Sequence, residues 1–200
     1  MIKWPKQVTE VYWRPFVPVR VPVYFEMFLT TGEQVAKIAD RFGAALELWA
    51  YTALPDWHPC QSHELKDSQY DLWAFYYRDT LHSNSLTMEN PWLDEAAQMN
   101  PYSYMITINS DVGKEKGDQD GDLIWVESSM GRKVRGKVRL SEGIHPQGLG
   151  FAALCGHWSK NQPIARGKGV FFNELLEIDY AHMDPGNLNM DLCVKVKVYK

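Results

Sequence analysis

The sequence predicts a mainly β protein of the α+β class: a β-barrel with short helices, preceded by an extended arm and one longer helix. Three stretches carry that expectation. From Lys133 to Leu140, the cations Lys133, Arg135, Lys137 and Arg139 alternate with Val134, Gly136, Val138 and Leu140. A period of two sets the cations on one face and the apolar residues on the other, which defines a half-buried strand. Val194-Lys195-Val196-Lys197-Val198 repeats the pattern near the end of the chain. Between Tyr104 and Leu123 the chain changes character several times over a short length. Met105-Ile106-Thr107-Ile108 is an apolar strand that ends at Asn109-Ser110-Asp111. A small polar helix fits Asp111–Lys116, with Ser110 as its cap and Gly117 as its stop. Asp118-Gln119-Asp120-Gly121-Asp122 then turns the chain into a strand at Leu123–Glu127, and Ser129-Met130-Gly131 turns it again.

The other elements follow in order. Pro5, Pro15, Pro18 and Pro22 punctuate the first thirty residues, so these read as an extended arm or edge strand. Thr31 with Gln34 forms a capping box for a helix whose Val35, Ile38, Ala39 and Phe42 share a face, closed by Gly43. Leu46–Tyr51 reads as a strand, and residues 55–69 as a polar connection. The first barrel strand, Asp71–Tyr77, is apolar nearly throughout, as expected of a strand covered on both faces. A polar loop, Arg78–Ser85, follows it. Asn90 and Pro91 open a helix with Leu93, Ala96 and Ala97 on its buried side, and Asn100-Pro101 ends it. Gly148–Leu154 is a further strand, and Asn173 caps a short turn through Leu176. The domain division is therefore residues 1–69 for arm, helix and connection, and 70–200 for the barrel.

A length of 200 residues supports one domain with a full core and an appendage. The net charge of −4 argues against generic nucleic-acid binding, which needs a cationic excess. No apolar run approaches the ~20 residues of a membrane span, and Met1–Lys6 has no apolar signal-peptide segment. The three cysteines, Cys60, Cys155 and Cys193, are odd in number and far apart, and define no disulfide framework. Eight Trp and ten Tyr point to aromatic packing in a β-rich core, with a ring-binding face as the sharper reading.

For chemistry, His58, Cys60 and His63, with Cys155 and His157 as a second pair, are the residues from which a metal site could be assembled. Cys155 beside His157 lacks the orienting third group that a nucleophile requires. Gly167-Lys168-Gly169 is too short for a phosphate-cradling loop. What remains is a binding surface at strand ends. Arg78 and His82 suit a phosphate, and Asn or Asp side chains can read a purine edge.

Several motifs, in this order, resemble one family. They are the Tyr77–Ser83 loop, Asn90-Pro91-Trp92-Leu93, Ile108-Asn109-Ser110-Asp111-Val112, Asp120-Gly121-Asp122-Leu123-Ile124-Trp125-Val126-Glu127-Ser128, Glu142-Gly143-Ile144-His145-Pro146 and Gly167-Lys168-Gly169-Val170. Together they are similar to the molybdopterin-dinucleotide-binding, C-terminal domain of the dimethyl-sulfoxide-reductase family of molybdenum and tungsten oxidoreductases. Leu54-Pro55-Asp56-Trp57 more faintly resembles the segment that precedes it. The resemblance implies a six-stranded double-psi β-barrel holding part of a molybdopterin guanine dinucleotide. The metal ligand and substrate funnel would lie in other domains, and this chain alone would be inactive. Thr80, Leu81, His82, Ser83 and Asn84 would lie against pterin and phosphates, Asn109 and Asp111 would face the nucleotide end, and His157, Trp158 and Asn173 would close over the cofactor. The implied partners are the remaining domains of a prokaryotic cytoplasmic or periplasmic parent and an iron–sulfur electron-transfer subunit. Lys116 and Asp118 depart from the apolar residues that usually dock the small helix, which would loosen it. A stand-alone barrel serving as a protein-recognition adaptor is the competing reading, because fold does not fix function.

Overall fold

The computed structural model describes residues 27–44, 51–54, 57–152, 155–177, 183–184 and 189–200. The expected proline-rich arm, most of the Leu46–Tyr51 strand and the last two residues of the Gly148–Leu154 strand lie outside them. The described residues fall into two units, one ending at His58 and the other beginning at Pro59 and reaching Lys200; Asp184 groups with the first.

In the first unit, helix α1 spans Phe28–Phe42, so it starts before the predicted capping box. Thr30 and Thr31 do not cap it; their hydroxyls donate back to the Met27 carbonyl at 3.0 and 2.8 Å. Gly43, at φ 66°, closes the helix as expected. The inward side is set by Phe28, whose ring meets Tyr51 edge-on at 5.4 Å. Ala39 is buried, whereas Ile38 and Phe42 are exposed.

In the second unit, the predicted polar connection contains one turn of helix, α2, Gln61–Glu64. Six strands follow: β1 Leu72–Tyr77, β2 Ile106–Asn109, β3 Leu123–Ser128, β4 Lys133–Ser141, β5 Gly148–Ala152 and β6 Cys193–Tyr199. They close into a barrel in the order β1-β5-β2-β4-β3-β6. The pairs β1–β5 and β2–β4 are parallel and the other four antiparallel. With few and short helices around it, this closed mixed barrel is a double-psi β-barrel of the α+β class, as predicted.

The alternation read from the sequence fills the interior. Val134 and Val138 of β4, Ile124 and Val126 of β3, and Val194 and Val196 of β6 point inward and are buried with Ile106, Ile108, Leu149 and Phe151. Gly136 occupies an inner-face position of β4 where a Cβ would meet the Val170 and Ile106 side chains, so only glycine lets Val170 enter the barrel. On β1, Leu72 and Ala74 are buried, but Trp73, Phe75, Tyr76 and Tyr77 are only half covered. The expected double-sided cover is thus partial, because β1 belongs to a barrel with one interior and carries aromatics too large to bury on the outside.

Register decides which loops meet. By the pairings, β1, β3 and β5 run one way and β2, β4 and β6 the other. The loops leaving β1 and β5 therefore share one rim, and the loops leaving β2 and β4 share the opposite rim.

Candidate functional site

The first rim is built on the loop that leaves β1 at Tyr77. Buried Asp79 folds this loop by accepting from the Leu81 amide at 3.0 Å and from the Ser103 hydroxyl. Arg78 Nη1 donates to the Ser83 carbonyl at 2.7 Å, clamping the loop across five residues. Asn84 Oδ1 accepts from the Leu86 amide and caps a 3-10 helix, Ser85–Glu89. Asn90 Oδ1 accepts from the Trp92 and Leu93 amides and opens α3, Pro91–Gln98, with Pro91 in its first turn as predicted.

Beneath the loop lies a chain of hydrogen-bonded polar groups, of which His82 and Asp94 are buried and Tyr104 and Lys168 half-buried. His82 has no exposed surface; its Nε2 is 3.1 Å from Tyr104 Oη and its Nδ1 is 3.3 Å from Thr87 Oγ1. Tyr104 Oη donates to Asp94 Oδ1 at 2.9 Å, so its oxygen is left to accept from His82 Nε2–H. Asp94 Oδ2 accepts from Lys168 Nζ at 2.5 Å and from Gln98 Nε2 at 3.2 Å. Burial pushes the Asp94 carboxyl up, but the bonds from Lys168, Tyr104 and Gln98 outweigh it and hold the group below its ordinary value. Tyr104 is moved the other way, first by burial and then by Asp94, well above the usual phenol range. It also holds a left-handed backbone, φ 65°, alone among the non-glycine residues described.

The segment that follows β5 crosses the same rim. Glu89 accepts from the amides of Ile164 and Ala165 at 3.0 and 2.8 Å, tying this segment to the 3-10 helix. Gly156, at φ 84°, donates to the Lys168 carbonyl, and a Cβ there would collide with the Phe171 amide. Phe172 plugs the rim, its ring 5.8 Å from Tyr76 and 5.3 Å from Phe151.

The predicted site residues divide between the two rims. Thr80, Ser83 and Asn84 are exposed at the tip of the first loop, and Leu81 is half-buried beside them. His82 faces inward and reaches no surface, so it braces the loop and cannot itself touch a phosphate. His157 is exposed, with its ring 5.0 Å from that of Phe171, and Trp158 lies open beneath the Arg166 guanidinium at 4.5 Å. Asn173 is exposed over this rim inside a 3-10 helix, Phe172–Leu175. Phe171 holds the cap position, so Asn173 is not the cap the sequence suggested.

Asn109 and Asp111 stand at the opposite rim, because β2 runs antiparallel to β5. Asn109 Oδ1 accepts from the Asp111 and Val112 amides at 3.0 and 3.4 Å, and its Nδ2 donates to the Ile144 carbonyl at 2.9 Å. It is the cap of α4, Ser110–Glu115, which begins one residue earlier than predicted. The departures at Lys116 and Asp118 do not leave this helix unsupported. Lys116 pairs with Asp71 at 2.6 Å, and Lys200 pairs with Asp122 at 2.7 Å and lies 3.9 Å from Asp118. Charges hold the position where apolar contacts were expected.

Asp79, Asp94, Tyr104 and Lys168 were not singled out from the sequence. One signal was available: Asp94 lies on the α3 side buried with Ala97, an unusual place for an unpaired carboxylate. Three of the four β4 cations are engaged with side chains of β3 or of the turn before it. Lys133 pairs with Glu127 at 3.1 Å, Arg139 with Asp120 at 2.9 Å, and Arg135 lies over Trp125 at 5.4 Å. Cys155 is buried against Met88, and burial pushes its thiol up to about 12, which makes it a poor nucleophile. Among the described residues no three His, Cys, Asp or Glu side chains are grouped to hold a metal ion, and no helix is long and apolar enough to cross a membrane.

Fold and rim together describe a small closed barrel with polar loops gathered at the rim where β1 and β5 end. No protein-family model matches the chain. It is 33% identical over 160 residues to a sulfite dehydrogenase subunit of Allochromatium vinosum, covering 72% of this chain and 16% of that protein. It is 31% identical over 90 residues to the molybdopterin-containing thiosulfate reductase subunit PhsA of Salmonella typhimurium, covering 43% of this chain and 11% of that protein. Among solved structures, the acetylene hydratase of Pelobacter acetylenicus matches in fold with a TM-score of 0.57 at 15% identity, over 90% of this chain and 26% of its own. The chain thus spans less than a fifth of the curated relatives it matches, and the similarity points to the molybdopterin oxidoreductases.

Proposed function

We propose that this chain is the molybdopterin dinucleotide-binding barrel of a larger molybdenum- or tungsten-dependent oxidoreductase, and that its first rim holds the pterin–phosphate part of a molybdopterin guanine dinucleotide. The observation that carries the reading is the exposed tip Thr80, Ser83 and Asn84, braced from below by a hydrogen-bonded series of buried His82 and Asp94 with half-buried Tyr104 and Lys168. Donors fixed in this way lose little freedom when they meet a ligand. The chemistry of the rim suits an anionic, ring-containing group: hydroxyl and amide donors on the tip, Arg78 and Arg166 as cations, and the open Trp158 ring as a stacking face. The bound group would supply the redox-active metal centre. This chain's residues would bind and orient it, and the metal ligand and substrate site would belong to other parts of the parent. Those parts, with an iron–sulfur electron-transfer subunit, are the proposed partners.

The Asn109–Asp111 corner joins the same ligand only if the nucleotide end runs along the outside of the barrel. Along β2 the rims are separated by its four residues, about 13 Å at the rise of a strand, a span within reach of an extended dinucleotide. The test is a thermal-shift titration of the purified chain with guanosine diphosphate, against adenosine and cytidine diphosphates. A ligand at a hundred times its dissociation constant adds about 2.7 kcal/mol of stability, a shift of several degrees. A guanosine-selective shift supports the reading. Equal shifts with all three reduce it to a phosphate site, and no shift at millimolar ligand counts against it.

A further inference from the structure

The two half-buried cysteines of the second unit, Cys60 and Cys193, lie on one outer patch of the barrel together with a histidine. The inward residues of β6 are Val194 and Val196, so Cys193, Lys195 and Lys197 face outward. Helix α2 lies across this outer face. Ser62 Oγ accepts from the Lys195 amide at 3.1 Å, Lys195 Nζ donates to the Leu65 carbonyl at 2.8 Å, and the His63 ring lies against Trp73 at 5.0 Å, tilted by 53°. These contacts fix the strap two residues from each cysteine, since Cys60 precedes Ser62 by the same interval as Cys193 precedes Lys195. The Cys60 thiol sits 3.2 Å from His63 Nδ1 and is within hydrogen-bonding reach of Cys193. Burial, then the facing Cys60, pushes the Cys193 thiol up to about 11. The two thiols therefore differ in surroundings: Cys60 has an imidazole beside it, whereas Cys193 faces Cys60 from the edge of β6.

We propose that Cys60 and Cys193 are a redox-active pair, in which Cys60 is the attacking thiol, His63 its base and Cys193 the resolving thiol. The oxidant is a low-molecular-weight disulfide. His63 Nδ1 takes the Cys60 proton, and the Cys60 thiolate attacks one sulfur of the external disulfide, expelling the other as a thiolate. The Cys193 sulfur, losing its proton, then attacks the Cys60 sulfur of the mixed disulfide and expels the second thiolate. Two protein thiols are oxidised, one disulfide is reduced to two thiols, and the protons pass to the departing thiolates. The product staples the strap before β1 to β6, the last strand of the barrel.

The experiment treats the purified chain with glutathione disulfide, alkylates the remaining thiols after unfolding, and maps peptides by mass spectrometry without reduction. The expected product is a Cys60–Cys193 cross-linked peptide two hydrogens lighter than its parts, with Cys155 alkylated. Cys193→Ser is expected to trap a glutathione adduct on Cys60, while Cys60→Ser leaves Cys193 alkylatable. His63→Asn is expected to slow cross-linking several-fold near pH 7, the difference closing at alkaline pH, where hydroxide replaces the imidazole as base; a merely structural role would slow it equally at every pH. A glutathione adduct that persists on wild-type Cys60, a bridge that includes Cys155, or no reaction at all would overturn the proposal.

Discussion

The Tyr104 hydroxyl donates to the Asp94 carboxylate at 2.9 Å while receiving His82 Nε2 at 3.1 Å, and it does so from a backbone at φ 65°. One phenol thus joins the loop after β1 to α3, and through Lys168 to the segment after β5. Tyr104→Phe keeps the ring but removes both bonds, leaving a buried imidazole nitrogen without its partner. The expected cost is about 1–3 kcal/mol, seen as a fall of roughly 2–10 °C in the melting temperature for a domain of this size. A melt unchanged within a degree would show that the series does not brace the rim.

The Asp94–Lys168 pair predicts acid sensitivity with a definite sign. The folded pKa of Asp94 lies below its unfolded value, so its contribution is fully present above the unfolded value near 4 and is lost as pH falls through the folded one. Urea midpoints measured between pH 7 and pH 2 should decline below about pH 4. Lys168→Met should lower the midpoint at neutral pH and flatten that decline, because the shift it relies on is gone. A steeper acid decline in the variant would contradict the assignment.

Gly156→Ala is expected to be among the most damaging single-methyl changes in the chain. It adds a Cβ at φ 84° and directs it into the Phe171 backbone, which cannot step aside as a flexible side chain could. Gly136→Ala meets only the Val170 and Ile106 side chains and should cost about 1–3 kcal/mol through overpacking. Soluble yield and thermal melts of the two variants would establish the order.

Arg78→Ala removes the clamp to the Ser83 carbonyl without touching the barrel interior. The fold should persist, with a melt within a few degrees of the parent, while affinity for the nucleotide that stabilises the wild type falls about tenfold. Trp158 offers a second readout: ligand-induced quenching of tryptophan emission should be smaller in Trp158→Phe. Equal quenching in both proteins would place the ligand elsewhere.

The barrel strands were legible in the sequence because a barrel has a single interior. The period-two runs Lys133–Leu140 and Val194–Val198 state directly which residues face it, and Asn90-Pro91 states where α3 starts, while the reading of Ser110 as the cap of α4 missed its start by one residue. The start of α1 was less legible, because Thr31 and Gln34 present a capping signature while the threonine hydroxyls turn back to Met27. The tip residues Thr80, Ser83 and Asn84 could be named from local polarity and the family resemblance. Their bracing could not, since Asp94 reaches Lys168 across 74 positions and His82 reaches Tyr104 across 22. Nor could the separation of Asn109 and Asp111 from the first loop. Sequence fixes the period of each strand, but strand direction is a property of pairing, and it was the antiparallel register of β2 on β5 that set the two groups at opposite rims.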